Sequence, residues 1–502
     1  MNGSPATATP LSNAARQETF LAVRNALKLG ASLICTWGTA LAVKLLVPRY
    51  LGPDTFGALT FADAFTATFF VALTLGIDLY TRKEVSVRLG HAADFFGGIV
   101  AVRVAISAAL FCAMAVVMHA TQRPPEVRML VYLFAAAQFF ISINATLSAI
   151  LHCAGRVDGV SIIAVVTKLM WAGGCAAAIY FGSRLWLFPA SLLAGEVLVC
   201  AVLYHLARRH ARLRLRLDWS ATWRALAAAL PFYLNAVMYV AYSRLDVSLL
   251  EMFADDREVG WYGAAQAFAS LTMALTPFLI WVYMPLLARA VARSREEFYE
   301  LLRRELEYTL AAVIPVAAAI ALGADLWISL AFAERYAPAV RALRILGPMS
   351  AVTYVTVIVA ACTTLLDRGW RLTVISVLGL VVNIGLNGAL IPYGLRTFGP
   401  GGGGTAAALA SLGTEVFVAA AMLWTIGRGA FDRNILVRTA KLLLACAAAV
   451  AVDLLLAGYP APRRVALDAL AYVAVALALR AVDVRAIARF VASAMEARRQ
   501  ET

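Results

Sequence analysis

Apolar residues arrive along this chain in blocks of about 20, the length one helix needs to cross a bilayer core, with short polar turns between them. The blocks lie at 28–48, 57–80, 94–118, 128–150, 158–181, 186–206, 224–253, 260–288, 308–332, 343–366, 372–392, 402–426, 436–457 and 465–483. This pattern predicts an all-α polytopic membrane protein of about 14 transmembrane helices. The longest inner connections, 207–223 and 289–307, are basic, and Glu296 to Tyr308 has the spacing of an amphipathic helix lying on a membrane surface. No connection reaches the size of a small domain.

Composition agrees: 62% of the residues are hydrophobic and 15% charged, more apolar surface than a soluble fold could cover. The net charge of +14 sets orientation. Lys and Arg crowd the N-terminus and every second connection: Arg82, Lys83 and Arg88, then Arg208 to Arg216, Arg289 to Arg304, Arg428 to Lys441, and the C-terminal tail. Cytoplasmic loops collect such residues, so both termini are expected in the cytoplasm of an inner-membrane protein. That bias accounts for the charge without nucleic acid. The seven cysteines fall inside spans or at their edges and form no Cys-x-x-Cys pair, so neither a disulfide framework nor a metal centre is expected, and no cofactor.

The chain repeats itself. Phe56-Gly-Ala-Leu-Thr-Phe-Ala-Asp-Ala-Phe65 and Val259-Gly-Trp-Tyr-Gly-Ala-Ala-Gln-Ala-Phe268 match at four of ten positions, each at an outer turn entering an inward-running helix. Copies six spans apart have the same orientation, a parallel repeat about an axis along the membrane normal. The expected organisation is a cytoplasmic segment 1–27, a six-helix N-lobe 28–206, a basic linker 207–223, a six-helix C-lobe 224–426, a helix pair within 427–483 and a cytoplasmic tail 484–502.

The run Arg49-Tyr-Leu-Gly-Pro-Asp-Thr-Phe-Gly57 resembles the first outer loop of bacterial polysaccharide exporters and O-antigen (Wzx-type) flippases, members of the multidrug/oligosaccharidyl-lipid/polysaccharide exporter superfamily. Leu75-Gly-Ile-Asp78 with Arg82-Lys-Glu84, and Tyr242-Ser-Arg-Leu-Asp246 with Val259-Gly-Trp-Tyr262, are similar to two further stretches of that family. The resemblance implies movement of a lipid-linked oligosaccharide across the inner membrane for polysaccharide or lipopolysaccharide synthesis, with a polysaccharide polymerase as a further partner.

Ionisable groups at bilayer depth are costly and therefore candidates for function. Asn235, Tyr239, Tyr242 and Asp246 share one helix face, whereas Arg244 points elsewhere. Spans 1, 2, 7 and 8 each carry a polar stripe and are expected to line a shared aqueous cavity. A diphosphate needs fixed cations, and Arg offers a bidentate fork where Lys offers a point charge. Arg103, Lys168 and Arg244 are the cation candidates, Arg49 an outer-mouth contact, and Asn235, Tyr239 and Tyr242 suit sugar. Asp63, Glu196 and Asp246 are candidates for ion coupling, to protons or sodium, or for orienting a cation. A structural pair of Arg103 or Lys168 with Glu196 is the plainer alternative for those charges.

Three other classes compete. A cation-coupled exporter of small organic cations would be repelled by three buried positive charges. A membrane glycan ligase or glycosyltransferase would need more than Asp255-Asp256, which sit in a short loop with no further ligand cluster. A scaffold would leave the buried charges unexplained.

Overall fold

The computed structural model describes residues 35–85, 92–154, 157–182, 184–211, 213–276, 286–287, 289–291, 293–366 and 368–481. Every regular element among them is helical. Ten helices are long and apolar enough to cross a membrane, and they coincide with expected spans 2–6 and 9–13. The other four expected spans also fall on helices. These are α1 (35–51), α8 (Trp219–Phe253), α9 (Asp256–Ala269) and α16 (Ala461–Ala478).

Contacts divide the chain into two units, one of residues 1–44 and 69–233 and one of 45–68 and 234–502. Residues 45–68, which include the N-terminal part of the second span, group with the second unit rather than with the stretch 69–233 that follows them.

In the first unit, α3 (Ile77–Glu84), α4 (Ala92–Ala120), α5 (Pro125–Cys153), α6 (Val157–Tyr180) and α7 (Leu187–His210) enclose a core around Phe95, Phe96, Leu147, Ile150 and Leu203. The stretch between α7 and α8 is docked on α4, since a Cβ at Gly97 would lie 2.2 Å from the Arg216 carbonyl oxygen and one at Gly98 1.9 Å from Thr222 Oγ1. Gly97 thus lets backbone meet backbone there, and Gly98 makes room for the Thr222 side chain.

In the second unit, α10 (Arg295–Leu322), α12 (Ala339–Leu365), α13 (Gly369–Thr397) and α14 (Gly402–Ile426) pack side by side, and α15 (Arg433–Leu455) with α16 packs on α10. The surface helix expected over Glu296 to Tyr308 is instead the opening of α10. Its apolar residues Phe298, Leu302 and Leu306 are buried against Ile358, Val359 and Cys362. An apolar stripe at helical spacing serves a protein neighbour as well as a lipid surface, and here the helix simply continues.

The second span is not one helix. After α2 (Pro53–Phe70) comes a 3-10 turn, Val71–Thr74, then Leu75 and Gly76 in the left-handed conformation at φ 51° and 63°. A non-glycine residue held there costs about 1–2 kcal/mol. Gly76 is required twice over, since a Cβ on it would stand 2.6 Å from both the Ala229 oxygen and the Tyr233 nitrogen. The eighth span makes the same change, α9 passing into a 3-10 segment at Ser270–Leu275.

Candidate functional site

The broken second span explains the deepest cation. A helix that stops inside a membrane leaves carbonyls with no water to bind. Arg103 of α4, fully buried, supplies the donors: Nε to the Leu73 oxygen at 2.7 Å and Nη2 to the Thr74 oxygen at 3.4 Å. Its Nη1 donates to Thr146 Oγ1 at 3.0 Å, and Thr146 in turn donates to Asp78, whose carboxylate lies 3.9 Å from the guanidinium. Arg103, expected in a wet cleft, is instead enclosed in the structure. Its donors are committed to the break in span 2. Of the alternative pairing of Arg103 or Lys168 with Glu196, the Arg103 half is not seen, because the acid that meets Arg103 is Asp78.

Lys168 and Glu196 sit together elsewhere in the first unit. Lys168 stands 5.2 Å from the Trp171 ring centroid, a cation–π distance, and within electrostatic reach of Glu196. Glu196 accepts from Asn144 Nδ2 at 2.8 Å. The cluster offers a cation, an aromatic face and an anchored carboxylate, all half-buried apart from Asn144.

In the second unit, Arg244 and Asp246 of α8 diverge, as two residues' spacing on a helix requires. Arg244 pairs with Asp63 of α2 at 3.6 Å, both side chains about half exposed, at 50% and 44%. Asp246 is buried and accepts from the Tyr262 hydroxyl, from Gln266 Nε2 at 3.1 Å, from Ser411 Oγ at 3.2 Å and from its neighbour's backbone, Val247 N, at 2.9 Å. The cation expected to hold Asp246 from another helix is therefore replaced by neutral donors. The side chains of Asn235, Tyr239 and Tyr242 lie outside the described residues. Arg49 is exposed and donates to the Leu330 carbonyl at 3.3 Å, while Arg335 donates to the Arg49 oxygen.

The N-terminal ends of α2 and α9 form an arrangement that residue-by-residue reading missed. Asp54 and Arg257, 203 positions apart, pair through Arg257 Nε to Oδ1 at 3.0 Å and Nη2 to Oδ2 at 3.3 Å. Gly57 and Gly260 have the same offset. A Cβ on Gly57 would lie 1.6 Å from the Asp256 oxygen, and one on Gly260 would lie 1.9 Å from the Pro53 oxygen. Each helix thus meets its repeat mate at the equivalent place, a local twofold relation. Applying the offset of the four matching residues to their neighbours would have revealed it.

Neighbouring groups fasten this end. Asp255 caps α9 by accepting from Glu258 N, so the paired acids are a helix start rather than a metal ligand set. Glu258 accepts from Gly401 N at 2.6 Å and Gly404 N at 3.1 Å, across the glycine run that opens α14. Burial pushes its carboxyl above the usual range, against the downward pull of those N–H donors. Pairing with Asp54 raises the Arg257 guanidinium further. Tyr336 donates to the Pro48 oxygen at 2.8 Å and Trp261 Nε1 to the Arg335 oxygen at 2.8 Å.

Comparison with known proteins follows from this fold. The chain is similar to the lipid II flippase MurJ in an inward closed conformation, with a TM-score of 0.70 and 13% identity over 91% of this chain and 99% of that one. It is similar to a multidrug resistance MATE family transporter of the MOP superfamily in its inward-facing conformation, with a TM-score of 0.64 and 14% identity over 80% of this chain and 97% of that one. The outward-facing conformation of a MATE family transporter gives 0.59 and 15%, over 80% and 94%. At these identities the likeness is one of fold. No curated protein sequence matches. Residues 46–341, more than half of the chain, match the sequence model of a family described as polysaccharide biosynthesis protein. A many-helix membrane chain with a MurJ- and MATE-like fold, it belongs to the polysaccharide biosynthesis protein family.

Proposed function

We propose that the chain is an inner-membrane flippase that carries a polyprenyl-diphosphate-linked oligosaccharide from the cytoplasmic to the periplasmic leaflet by alternating access. The observation that carries this reading is the half-exposed Arg244–Asp63 pair on membrane helices. A guanidinium oriented by a neighbouring carboxylate, yet still open on one side, suits an anionic diphosphate. It repels a cationic drug. The family and the flippase likeness support the same class and weigh against an enzyme.

In this reading Arg244 meets the diphosphate, with Lys168 and Arg49 as further cation contacts. Asn235, Tyr239 and Tyr242 meet sugar. Asp63 orients Arg244, Glu196 orients Lys168, and Asp246, held by hydroxyl and amide donors, is the carboxylate that couples transport to protons or sodium. The substrate belongs to polysaccharide or O-antigen assembly, and a polymerase receives it on the far side. The contact of α2 with α9 at Gly57 and Gly260 parts once in each cycle.

The purified chain in proteoliposomes, given a fluorescent polyprenyl-diphosphate-linked glycan, should move label between leaflets. Arg244→Gln should slow this about 10- to 100-fold, the cost of a charge-assisted hydrogen bond of about 1.5–3 kcal/mol. Asp246→Asn should remove the response to a proton or sodium gradient. A wild-type protein that leaves the glycan in place while expelling a cationic dye would overturn the proposal in favour of a small-molecule exporter.

Orientation has its own test. In a background without native cysteines, Asp255→Cys should react with a membrane-impermeant maleimide added outside, and Arg209→Cys should stay unlabelled until the membrane is opened. The opposite pattern would invert every loop assignment, and both termini with them.

A further inference from the structure

At one end of the second unit, α11 (Ala324–Ala331), α15 and α16 bring together one cation and three acids. Arg464 of α16, 8% exposed, pairs with Asp325 of α11, and its Nε lies 2.5 Å from Asp453 Oδ1 of α15. Asp468 lies one turn beyond Arg464 and is 2% exposed. Both of its carboxylate oxygens are enclosed without a hydrogen-bond donor. Asp453 is within hydrogen-bonding reach of it.

The charges do not balance. One guanidinium faces three carboxylates, leaving two negative charges where the surroundings are apolar. The residues packed beneath are Ile314, Leu442, Ala445, Ala449 and Ala476. The remaining titratable neighbours, the Tyr472 hydroxyl and Cys446, are neutral at ordinary pH, and Arg463 is exposed. Two carboxylates in contact cannot bond each other while both are ionised, but a single proton between them makes a hydrogen bond and removes one charge. No group of three ligands among the described residues is placed to hold a metal ion.

We propose that Asp325, Asp453, Arg464 and Asp468 form a proton-binding site, with one proton held on Asp468 and shared with Asp453, that docks α16 onto α11 and α15. The site lies at the outer end of these helices in the orientation given above, so the proton comes from the external medium. It is distinct from Asp246 and does not depend on which cargo is carried.

Infrared difference spectra of the full chain in nanodiscs test it. Stepping the pH from mildly acidic, above the ordinary carboxylate range, to alkaline should remove a carbonyl stretch that Asp468 contributes beside those of the other buried carboxyls. Asp468→Asn should eliminate that titrating band, whereas Asp246→Asn should leave it. Asp453→Asn should move its midpoint to lower pH, since one repelling charge is gone. Thermal unfolding supplies a second readout. A proton bound more tightly when folded gives stability that is full below the unfolded-state midpoint and is lost as pH rises from there through the folded-state one. The wild-type Tm should therefore fall over that range, and the Asp468→Asn Tm should not. Should Asp468→Asn fail to fold, the Asp453→Asn midpoint decides. A titrating band unchanged in Asp468→Asn, or an unshifted midpoint in Asp453→Asn, would overturn the proposal.

Discussion

Gly57→Ala is expected to abolish transport while leaving the two units folded, and Gly260→Ala is expected to do the same. A methyl group at either position would be driven into a backbone carbonyl, 1.6 Å from the Asp256 oxygen or 1.9 Å from the Pro53 oxygen. Backbone cannot swing aside as a flexible side chain can, so α2 and α9 must separate at their N-terminal ends. The consequence is readable without cargo. Cysteines replacing Asp54 and Arg257, whose side chains now pair, should be joined by a short bifunctional reagent in the parent and far less in either alanine variant. The joined parent should also be inactive and recover when the link is cleaved. Efficient joining in Gly57→Ala would mean that the helices accommodate the methyl group and the contact is not a steric lock.

Arg103→Gln is expected to damage the protein before it damages transport. Removing the guanidinium leaves the Leu73 and Thr74 oxygens without their donor and Asp78 without its cation. Leaving a buried acceptor without its donor costs about 1–3 kcal/mol, and membrane surroundings offer no water to replace it. The yield of monodisperse protein and its Tm should both fall. Arg103→Lys should recover part of the loss, because an ammonium restores charge but cannot span two carbonyls and a hydroxyl as the guanidinium fork does. A wild-type Tm in Arg103→Gln together with lost glycan movement would return this residue to the cargo-binding set.

The spans were legible because bilayer thickness imposes one length on every crossing helix, and the ten long apolar helices fall where hydropathy puts them. What hydropathy does not carry is where a span breaks. Leu75 and Gly76 lie in an apolar run and read as continuous helix, yet their left-handed backbone frees the carbonyls that Arg103 serves. A motif, Leu75-Gly-Ile-Asp78, marked the place without explaining it. The partners of Asp246 were illegible for a different reason. Tyr262, Gln266 and Ser411 come from helices whose rotation about their own axes a single sequence does not specify. Glu296 to Tyr308 misled because an amphipathic period is the same whether the apolar side meets lipid or α12.

Asp54 and Arg257 occupy equivalent positions in two copies of one element and face each other. Were the copies identical, each residue would confront itself, acid against acid or base against base. An ion pair across a twofold relation is therefore available only to copies that have become unlike. Thr60 and Gly263 obey the same logic, for the hydroxyl-bearing side chain fits only because its counterpart has none, a Cβ on Gly263 falling 2.8 Å from Thr60 Cγ2. Complementary side chains on the symmetry axis demand divergence there, while Gly57 and Gly260, which bring no side chain to the contact, stay the same. Sequence identity between the copies thus understates ancestry where unlike side chains meet across the contact, and one chain carrying both makes a pair that two separate half-proteins of one kind could not make.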